Sequence, residues 1–258
     1  MNQNERREYL IKYLLKEEIR FGRQSIPADK QGQENLLRSL MNVRPPRPIS
    51  HEFLEIQDEY LTERNIERGI TDVATLTPVK SDSRLYIWQG DITTLKCDAI
   101  VNACNSQMLG CFSPMHACID NFIHTYAGVE LRLKMHEIMT KQGYEEETGK
   151  AKITSGYNLP AKYVLHIVGP IIQWKVTQED ENLLASCYKE CLKLAADTGV
   201  ESIAFCCLST GVFRFPQQRA AEIATETVMQ FLKKDDRIKK VIFNVFKNED
   251  LEIYSHLL

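Results

Sequence analysis

The sequence lacks any long hydrophobic run. Its longest apolar stretch, residues 203–208, is far shorter than the roughly 18 residues that a membrane-spanning helix needs. The amino terminus from Met1 to Glu8 is polar and has none of the apolar segment that a secretory signal carries. From these two absences we expect a soluble protein of the cytoplasm.

The sequence also has little net charge. Its 32 basic and 35 acidic residues give a formal charge of -3 at pH 7. Binding to nucleic acid in general relies on a surplus of Lys and Arg, so this balance argues against it and leaves room only for a pocket that takes a small anionic ligand. Repeats and low-complexity segments are missing as well. A chain of 258 residues is therefore expected to form one domain with an extension, or two small domains.

Cysteine, in contrast, is plentiful. Eight cysteines would indicate a disulfide framework in a short secreted protein, but in a longer chain without a secretory signal they indicate thiols, metal ligands or core packing. Cys187 and Cys191 are four residues apart among apolar residues, and Cys206 and Cys207 lie in an apolar run. We expect these four to pack in the core as small hydrophobic side chains.

Residues 1–75 have the pattern of a helical extension. Apolar residues recur at helical spacing in two segments, which contain Tyr9, Leu10, Tyr13, Leu14 and Ile19, and Leu36, Leu37, Leu40 and Met41. Arg44-Pro-Pro-Arg-Pro48 ends the second helix because proline lacks the N–H donor and restricts the residue before it. A third helix is expected from about residue 50 to 69. We interpret residues 1–75 as a helical cap on a main domain that spans residues 76–258.

From residue 83 onward, β-rich runs alternate with helical ones. Strands are expected at 85–88, 99–101, 151–154, 163–168, 202–208 and 240–246, with helices at 183–195 and 220–232. This alternation predicts an α/β fold in three layers, with helices on both sides of a largely parallel sheet. Ligands of such sheets bind outside the carboxyl ends of the strands, so the loops that follow the strands are the candidate site.

The loop after the second of these strands carries three candidate metal ligands, Cys111, His116 and Cys118. Zinc is bound by thiolate and imidazole groups, and its catalytic sites often have three protein ligands and one open position. No fourth Cys or His stands nearby at a customary spacing. The alternative is that three such residues lie close in the sequence by chance, and the spacing alone leaves both open.

Two further features lie in these loops. Asp120 falls in the first turn of a helix expected over 119–127, where it either stabilises the helix dipole or faces the pocket as a carboxylate. His124, four residues later, is expected to pack rather than to orient Asp120. The loop Ser209-Thr-Gly-Val-Phe213 precedes a helix and offers backbone N–H groups to an anion, which suggests a phosphate.

Several motifs, taken in order, resemble the macrodomain family. They are Gly90-Asp-Ile-Thr93, Val101-Asn-Ala-x-Asn-Ser106, Thr148-Gly-Lys-Ala, Gly156-Tyr-x-Leu-Pro-Ala, His166-x-Val-Gly-Pro170 and Ser209-Thr-Gly-Val-Phe213. The resemblance covers about residues 83–246 and implies a three-layer α/β/α macrodomain that binds ADP-ribose. Residues 110–118 replace the family's glycine-rich run, which looks like the zinc-dependent subfamily that is often encoded beside a class M sirtuin.

The resemblance implies roles for individual residues. Asp91 and Ile92 would bind the adenine, and Asn105 would contact the distal ribose and act in catalysis with Asp120. The diphosphate and distal ribose would be wrapped by Ser209, Thr210, Gly211, Val212 and Phe213. The far end would be lined by Cys118, Ile119 and Asp120, with one zinc ion on Cys111, His116 and Cys118. Cys104 departs from the family's usual alanine, and its side chain is expected to point away from the ligand.

The implied reaction is hydrolysis of the bond between a protein side chain and the distal ribose, with release of ADP-ribose. Two alternatives use the same pocket: deacetylation of O-acetyl-ADP-ribose, and binding of ADP-ribose by a module with a structural zinc. The implied partners are a mono-ADP-ribosylated protein and, from the subfamily's context, a class M sirtuin and a lipoylated carrier protein.

Overall fold

A computed structural model describes residues 1–17 and 25–258. Its first part contains the three expected helices, α1 (Gln3–Glu17), α2 (Lys30–Val43) and α3 (His51–Glu67). Two of these helices are capped at their N-termini by side-chain oxygens. Asp29 accepts from Gly32 N, and Ser50 accepts from Phe53 N, as is typical of N-cap residues. Ile19 lies outside the described residues.

The expected three-layer α/β fold is confirmed. Its strands are β1 (Thr71–Asp72), β2 (Leu85–Gln89), β3 (Leu95–Lys96), β4 (Ala99–Cys104), β5 (Ala151–Ser155), β6 (Tyr163–Val168), β7 (Ser202–Phe205) and β8 (Lys240–Val245). The main sheet has the order β2-β8-β7-β4-β6-β5, and every pair is parallel except β5 with β6. β1 and β3 form a separate parallel pair.

The strand predicted over residues 202–208 is longer than the strand that the structure has. β7 ends at Phe205, and it pairs with β4 only through Ala99 and Ile100, so the chain leaves the sheet before the apolar run is over. Leu208 is nevertheless buried, which explains why hydrophobicity alone extends the strand. β8 likewise ends at Val245, one residue before its predicted end, and Phe246 is 76% exposed.

In the described part of the chain, five α-helices accompany the sheet: α4 (Ile119–Ala127), α5 (Val129–Gln142), α6 (Gln178–Asp197), α7 (Gln217–Leu232) and α8 (Asn248–Leu257). The sequence patterns predict α4, α6 and α7 but not α5 or α8. α5 starts directly after Gly128, whose φ of +101° ends α4. Cys187, Cys191 and Cys206 are buried, as expected for core residues, whereas Cys207 is only partly buried.

The helical extension packs on the sheet domain through a shared core and through specific hydrogen bonds. Its own hydrophobic cluster includes Val129 from α5, and Gln57 in α3 accepts a hydrogen bond from Val129 N at 2.8 Å. Asn65 in α3 donates to the carbonyl of Asn158 at 2.7 Å. Val73, just beyond β1, already belongs to the main core. No helix in the described ranges is long and apolar enough to cross a membrane.

Candidate active site

The loops that the sequence singles out meet at one edge of the main sheet, because the parallel strands β2, β4, β6 and β7 all end there. The loops after β6 and β7 lie against each other: Ile172 N donates to the carbonyl of Phe213 at 2.8 Å. A Cβ on Gly169 would stand 2.2 Å from Ser209 Oγ, so a side chain there would displace the Ser209 hydroxyl. The arrangement is that of a ligand crevice at the carboxyl ends of the strands.

Cys111, His116 and Cys118 come together in the loop after β4. Their sulfur and nitrogen ligand atoms all lie within 4.8 Å of one another, and Cys111 Sγ is 3.5 Å from His116 Nδ1. A tetrahedral zinc ion sets such atoms about 3.5 Å apart, so the donor set and its spacing fit zinc. Among residues 1–17 and 25–258 no fourth Cys, His, Asp or Glu joins the cluster. Burial raises the pKa of the Cys118 thiol to about 12.

Residues 105–118 contain the three candidate metal ligands, and we name them the metal loop for these candidates. It rests on α4 through Gly110, whose φ is +83° and whose Cβ, if present, would lie 2.8 Å from the ring of His124. Glycine is therefore required there both by conformation and by space. His124 is buried, and burial is the first cause that holds its pKa well below the usual value. The expectation that His124 packs thus fits its position beneath the loop, and its Nε2 also lies 3.5 Å from Asp120.

Asp120 is buried at the start of α4 and belongs to a chain of polar side chains. Asn102 Nδ2 donates to Asp120 Oδ1 at 2.8 Å and lies 3.2 Å from His166 Nδ1. On its other side, His166 Nε2 is 3.0 Å from Thr154 Oγ1. Burial raises the pKa of Asp120 to about 6, while the hydrogen bond from Asn102 opposes that rise. Asp120 therefore lies beneath the metal loop rather than open to solvent.

The neutral state of His166 follows from its burial, and its tautomer follows from its hydrogen-bond partners. Desolvation lowers the pKa of His166 to about 3, so the ring is neutral and has one donor and one acceptor nitrogen. Nδ1 accepts from Asn102, and Nε2 then donates to Thr154, whose hydroxyl donates to the carbonyl of Ser155. The sequence motifs contain both Asn102 and His166 without assigning them a function; their place in two of the resembling motifs was the available signal.

The residues predicted at the adenine end, Asp91 and Ile92, lie beside the end of α3. Asp91 accepts from Thr93 N and Thr93 Oγ1 and forms an ion pair with Arg68 at the end of α3. The guanidinium of Arg68 lies 3.4 Å from the ring centre of Tyr126. Ile92 is only 2% exposed. The helical extension thus supplies a residue, Arg68, that the sequence does not connect with this end.

The loop 209–213 has the form of an anion site. Ser209 has a φ of +63°, and its Oγ is buried without a hydrogen-bond partner in the described chain. The N–H groups of Gly211, Val212 and Phe213 donate to no described residue, whereas Thr210 Oγ1 donates to the Cys207 carbonyl. Three backbone donors and a hydroxyl are what a diphosphate would need.

Two further predicted residues lie at the ends of the metal loop: Asn105 is its first residue, and Ile119 directly follows it. The side-chain oxygen of Asn105 accepts from Gln107 N and Met108 N, and its side chain is exposed at the end of β4, with its amide N–H groups directed to no described residue. Ile119 is partly buried beside Cys118. Cys104 is 2% exposed and its thiol donates to the Ile167 carbonyl, so it faces the core as expected.

Comparison with known proteins agrees with this architecture. The Macro domain family matches residues 101–224. The chain is 56% identical over 260 aligned residues to a protein named protein-ADP-ribose hydrolase from Treponema medium, and all of both chains is covered. This chain belongs to the macrodomain family.

Two solved structures are also similar. The Trypanosoma brucei macrodomain in complex with ADP-ribose has a TM-score of 0.64 and 28% identity, with 85% of this chain and 94% of that chain covered. The Oceanobacillus iheyensis macrodomain with ADP has a TM-score of 0.60 and 38% identity, with 67% and 88% covered. The described fold is thus shared with macrodomains that hold adenine nucleotides.

Proposed function

We propose that this protein is a zinc-dependent hydrolase that removes mono-ADP-ribose from modified protein side chains and releases ADP-ribose. The observation that carries the proposal is the convergence of Cys111, His116 and Cys118 at the carboxyl end of β4. It is supported by full-length similarity to a protein named for this hydrolysis. A class M sirtuin and a lipoylated carrier protein are the proposed source and carrier of the modification. The free thiols suit the reducing cytoplasm.

The residues around the crevice would each bind a different part of ADP-ribose. The backbone donors of Gly211, Val212 and Phe213 would hold the diphosphate, and Asp91 would accept from the adenine amino group. Asn105 would donate its amide hydrogens to the distal ribose. These contacts fix the sugar relative to the metal loop, which is how positioning contributes to catalysis.

Asp120 would act from below as an orienting or basic carboxylate, held at one oxygen by Asn102. When bound by Cys111, His116 and Cys118, zinc would supply a positive charge that polarises the ribose oxygens or acidifies a bound water. Two thiolates would donate charge to the metal and weaken its acidity, so orientation of the sugar stands beside activation of water as its role.

The test is hydrolysis of a mono-ADP-ribosylated protein, with released ADP-ribose quantified before zinc is chelated, after chelation and after zinc is restored. We expect about one zinc per chain and a loss of turnover on chelation that zinc reverses. Cys111→Ala and His116→Ala should each abolish turnover. The matched control is Cys97→Ala, since Cys97 is buried at the opposite end of β4 and should leave turnover and zinc content unchanged.

The possible outcomes separate the alternatives. Wild-type protein without zinc refutes the metal site. Zinc-loaded protein that binds ADP-ribose but releases none supports the binding module. Turnover that survives Cys111→Ala removes the metal from the reaction. Acetate released from O-acetyl-ADP-ribose in the same preparations reports the deacetylase activity.

A further inference from the structure

The metal loop has little structure of its own near its ligands. Of the backbone bonds in the described chain, only the one from His116 N to the Ser113 carbonyl, at 3.3 Å, closes a turn there. Met115, directly before the ligand His116, has a φ of +57°, which is unfavourable for a residue other than glycine. Something outside the loop must therefore hold it in the conformation that brings the three ligands together.

Helix α2 of the extension contacts the loop through Arg38. Its guanidinium donates to the carbonyl of His116 at 3.0 Å and to Asn121 Oδ1 at 2.7 Å, and it stacks 4.2 Å from the ring centre of Phe122. The amide of Asn121 in turn donates to the Ser113 carbonyl at 3.0 Å. Both carbonyls of the His116 turn are thereby anchored to α2 and α4.

One helical turn later, Asn42 contacts the preceding residue of the loop. Its side-chain oxygen accepts from Met115 N at 3.1 Å, and its amide nitrogen donates to Thr125 Oγ1 at 3.0 Å. Asn42 is 1% exposed, so water cannot replace these bonds. The buried side-chain amide of Asn42 in α2 thus holds Met115, whose backbone is left-handed, next to the candidate ligand His116.

Arg132 in α5 fixes the carboxyl end of α2 and the start of the loop together. Its guanidinium donates to the carbonyls of Met41, Asn42 and Arg44 and, at 2.7 Å, to the carbonyl of Leu109. The guanidinium carbon of Arg132 also lies 4.2 Å from the centre of the Phe112 ring. The end of α2 therefore cannot shift without moving the loop.

We propose that Arg38 and Asn42 are positioning residues of the metal site, so that helix α2 of the extension sets how tightly the metal loop binds zinc. The inference rests on the proposed zinc site. Neither residue would touch the metal; both act through the backbone of Met115 and His116. Residues that orient metal ligands from behind commonly change metal affinity 10- to 100-fold.

The alternative, an effect of Arg38 through its charge, predicts the opposite sign. Removal of a positive charge near a divalent cation should tighten binding of the cation. Loss of a positioning contact should weaken it. Arg38→Ala therefore distinguishes the two by the direction of the change.

The experiment is a competition between the protein and a chromogenic zinc chelator, which measures the zinc dissociation constant. We expect Arg38→Ala and Asn42→Ala each to raise it about 10- to 100-fold. Arg38→Lys keeps the charge and hydrogen-bond donors but loses the planar guanidinium fork, so it should raise the constant less. Arg64→Ala is the matched control, because Arg64 ties α3 to Glu34 of α2 at 2.9 Å without touching the metal loop. It should stay within about twofold of wild type.

Cobalt supplies a second measurement. The visible spectrum of the cobalt-loaded protein reports ligand geometry, and it should change in Arg38→Ala and Asn42→Ala but not in Arg64→Ala. Unchanged or tighter zinc binding in folded Arg38→Ala and Asn42→Ala proteins overturns the inference. Should Arg38→Ala fail to fold, wild-type affinity in Arg38→Lys and Asn42→Ala overturns it equally. A wild-type protein that binds no zinc overturns the zinc site itself, which is a separate failure.

Discussion

The side-chain nitrogen of Asn102 lies within hydrogen-bond distance of two acceptors, one on Asp120 and one on His166. Its Nδ2 faces both Asp120 and His166, while its oxygen is buried with no hydrogen-bond partner in the described chain. The arrangement works only if His166 is neutral and accepts at Nδ1. A proton added to His166 would set two donors against each other and place a charge in the core.

The burial of His166 predicts a dependence of stability on pH. Its pKa is lowered from 6.5 to about 3 in the folded chain, so between these values the unfolded state binds more protons than the native state. The contribution of His166 to the free energy of unfolding therefore rises with pH in this window and is lost progressively as the pH falls from about 6.5 toward 3. Asp120, whose pKa is raised to about 6, contributes with the opposite sign. One such group contributes up to about 1.4 kcal/mol per pH unit. Urea unfolding at several pH values from 4 to 7 measures it.

His166→Asn isolates this contribution. The variant should be less stable at pH 7, but its free energy of unfolding should fall less steeply with acid than that of the wild type. His51→Gln is the control, because His51 is an exposed residue of α3 with a side chain that is 85% exposed. Parallel slopes for wild type and His166→Asn would refute the assignment.

At the scale of elements, the end of α3 is joined to the start of the crevice. Arg68, the C-cap of α3, is clamped between the carboxylate of Asp91 and the ring of Tyr126 in α4. One oxygen of Asp91 accepts from Thr93 and the other from Arg68. A carboxylate held on both sides is oriented before any ligand arrives, which lowers the entropic cost of binding.

Arg68→Ala should therefore weaken binding of ADP-ribose by about fivefold, since one orienting hydrogen bond is worth about 1 kcal/mol. The loss should fall on recognition of the adenine: the preference for ADP-ribose over its inosine analogue should shrink, while affinity for ribose 5-phosphate stays the same. Isothermal titration calorimetry with the three ligands measures this. Arg6→Ala, which breaks ion pairs with Glu59 and Glu63 far along the extension, serves as control; an unchanged preference in Arg68→Ala would contradict the role.

At the scale of the whole molecule, hydrogen bonds of Gln57, Asn42 and Arg132 join the extension to the sheet domain. The two parts should therefore unfold together. Phe53 is fully buried in the extension, and Phe53→Ala should lower the free energy of unfolding by about 3–5 kcal/mol. Both tryptophans, Trp88 and Trp174, lie outside the extension. Their fluorescence should therefore report the same lowered midpoint as far-ultraviolet circular dichroism.

Ile66→Ala is the matched control for that experiment. Ile66 lies in the same extension but is 62% exposed, so its truncation should change stability by no more than about 0.5 kcal/mol. A fluorescence midpoint that stays at the wild-type value in Phe53→Ala, while the circular dichroism transition splits in two, would show that the two parts unfold separately.

Much of the architecture was predictable from local patterns. The strands at 85–88 and 163–168 and the helix at 119–127 follow from period and composition, since apolar periodicity reflects which face is buried. The end of β7 was not predictable, because Leu208 is buried by packing beyond the strand and hydrophobicity does not distinguish the two situations. α5 was missed because a single glycine, Gly128, separates it from α4.

The candidate site divides in the same way. Residue types and spacing singled out Cys111, His116 and Cys118 because thiolate and imidazole chemistry is a property of the side chains themselves. They also singled out the loop 209–213, whose small residues precede a helix. What the sequence could not show is which distant residues support these groups, because contacts across many residues leave no local period.

The sequence by itself therefore determined the layered fold, and it predicted the loops of the candidate site and the thiolate and imidazole groups of Cys111, His116 and Cys118. Only the tertiary structure decided that Asp120 is buried on Asn102 and His166, that Asp91 is paired with Arg68, and that α2 holds the metal loop through Arg38 and Asn42. The physical reason is that side-chain chemistry and hydrophobic periodicity are local, whereas hydrogen-bond partners and burial depend on how distant segments pack together.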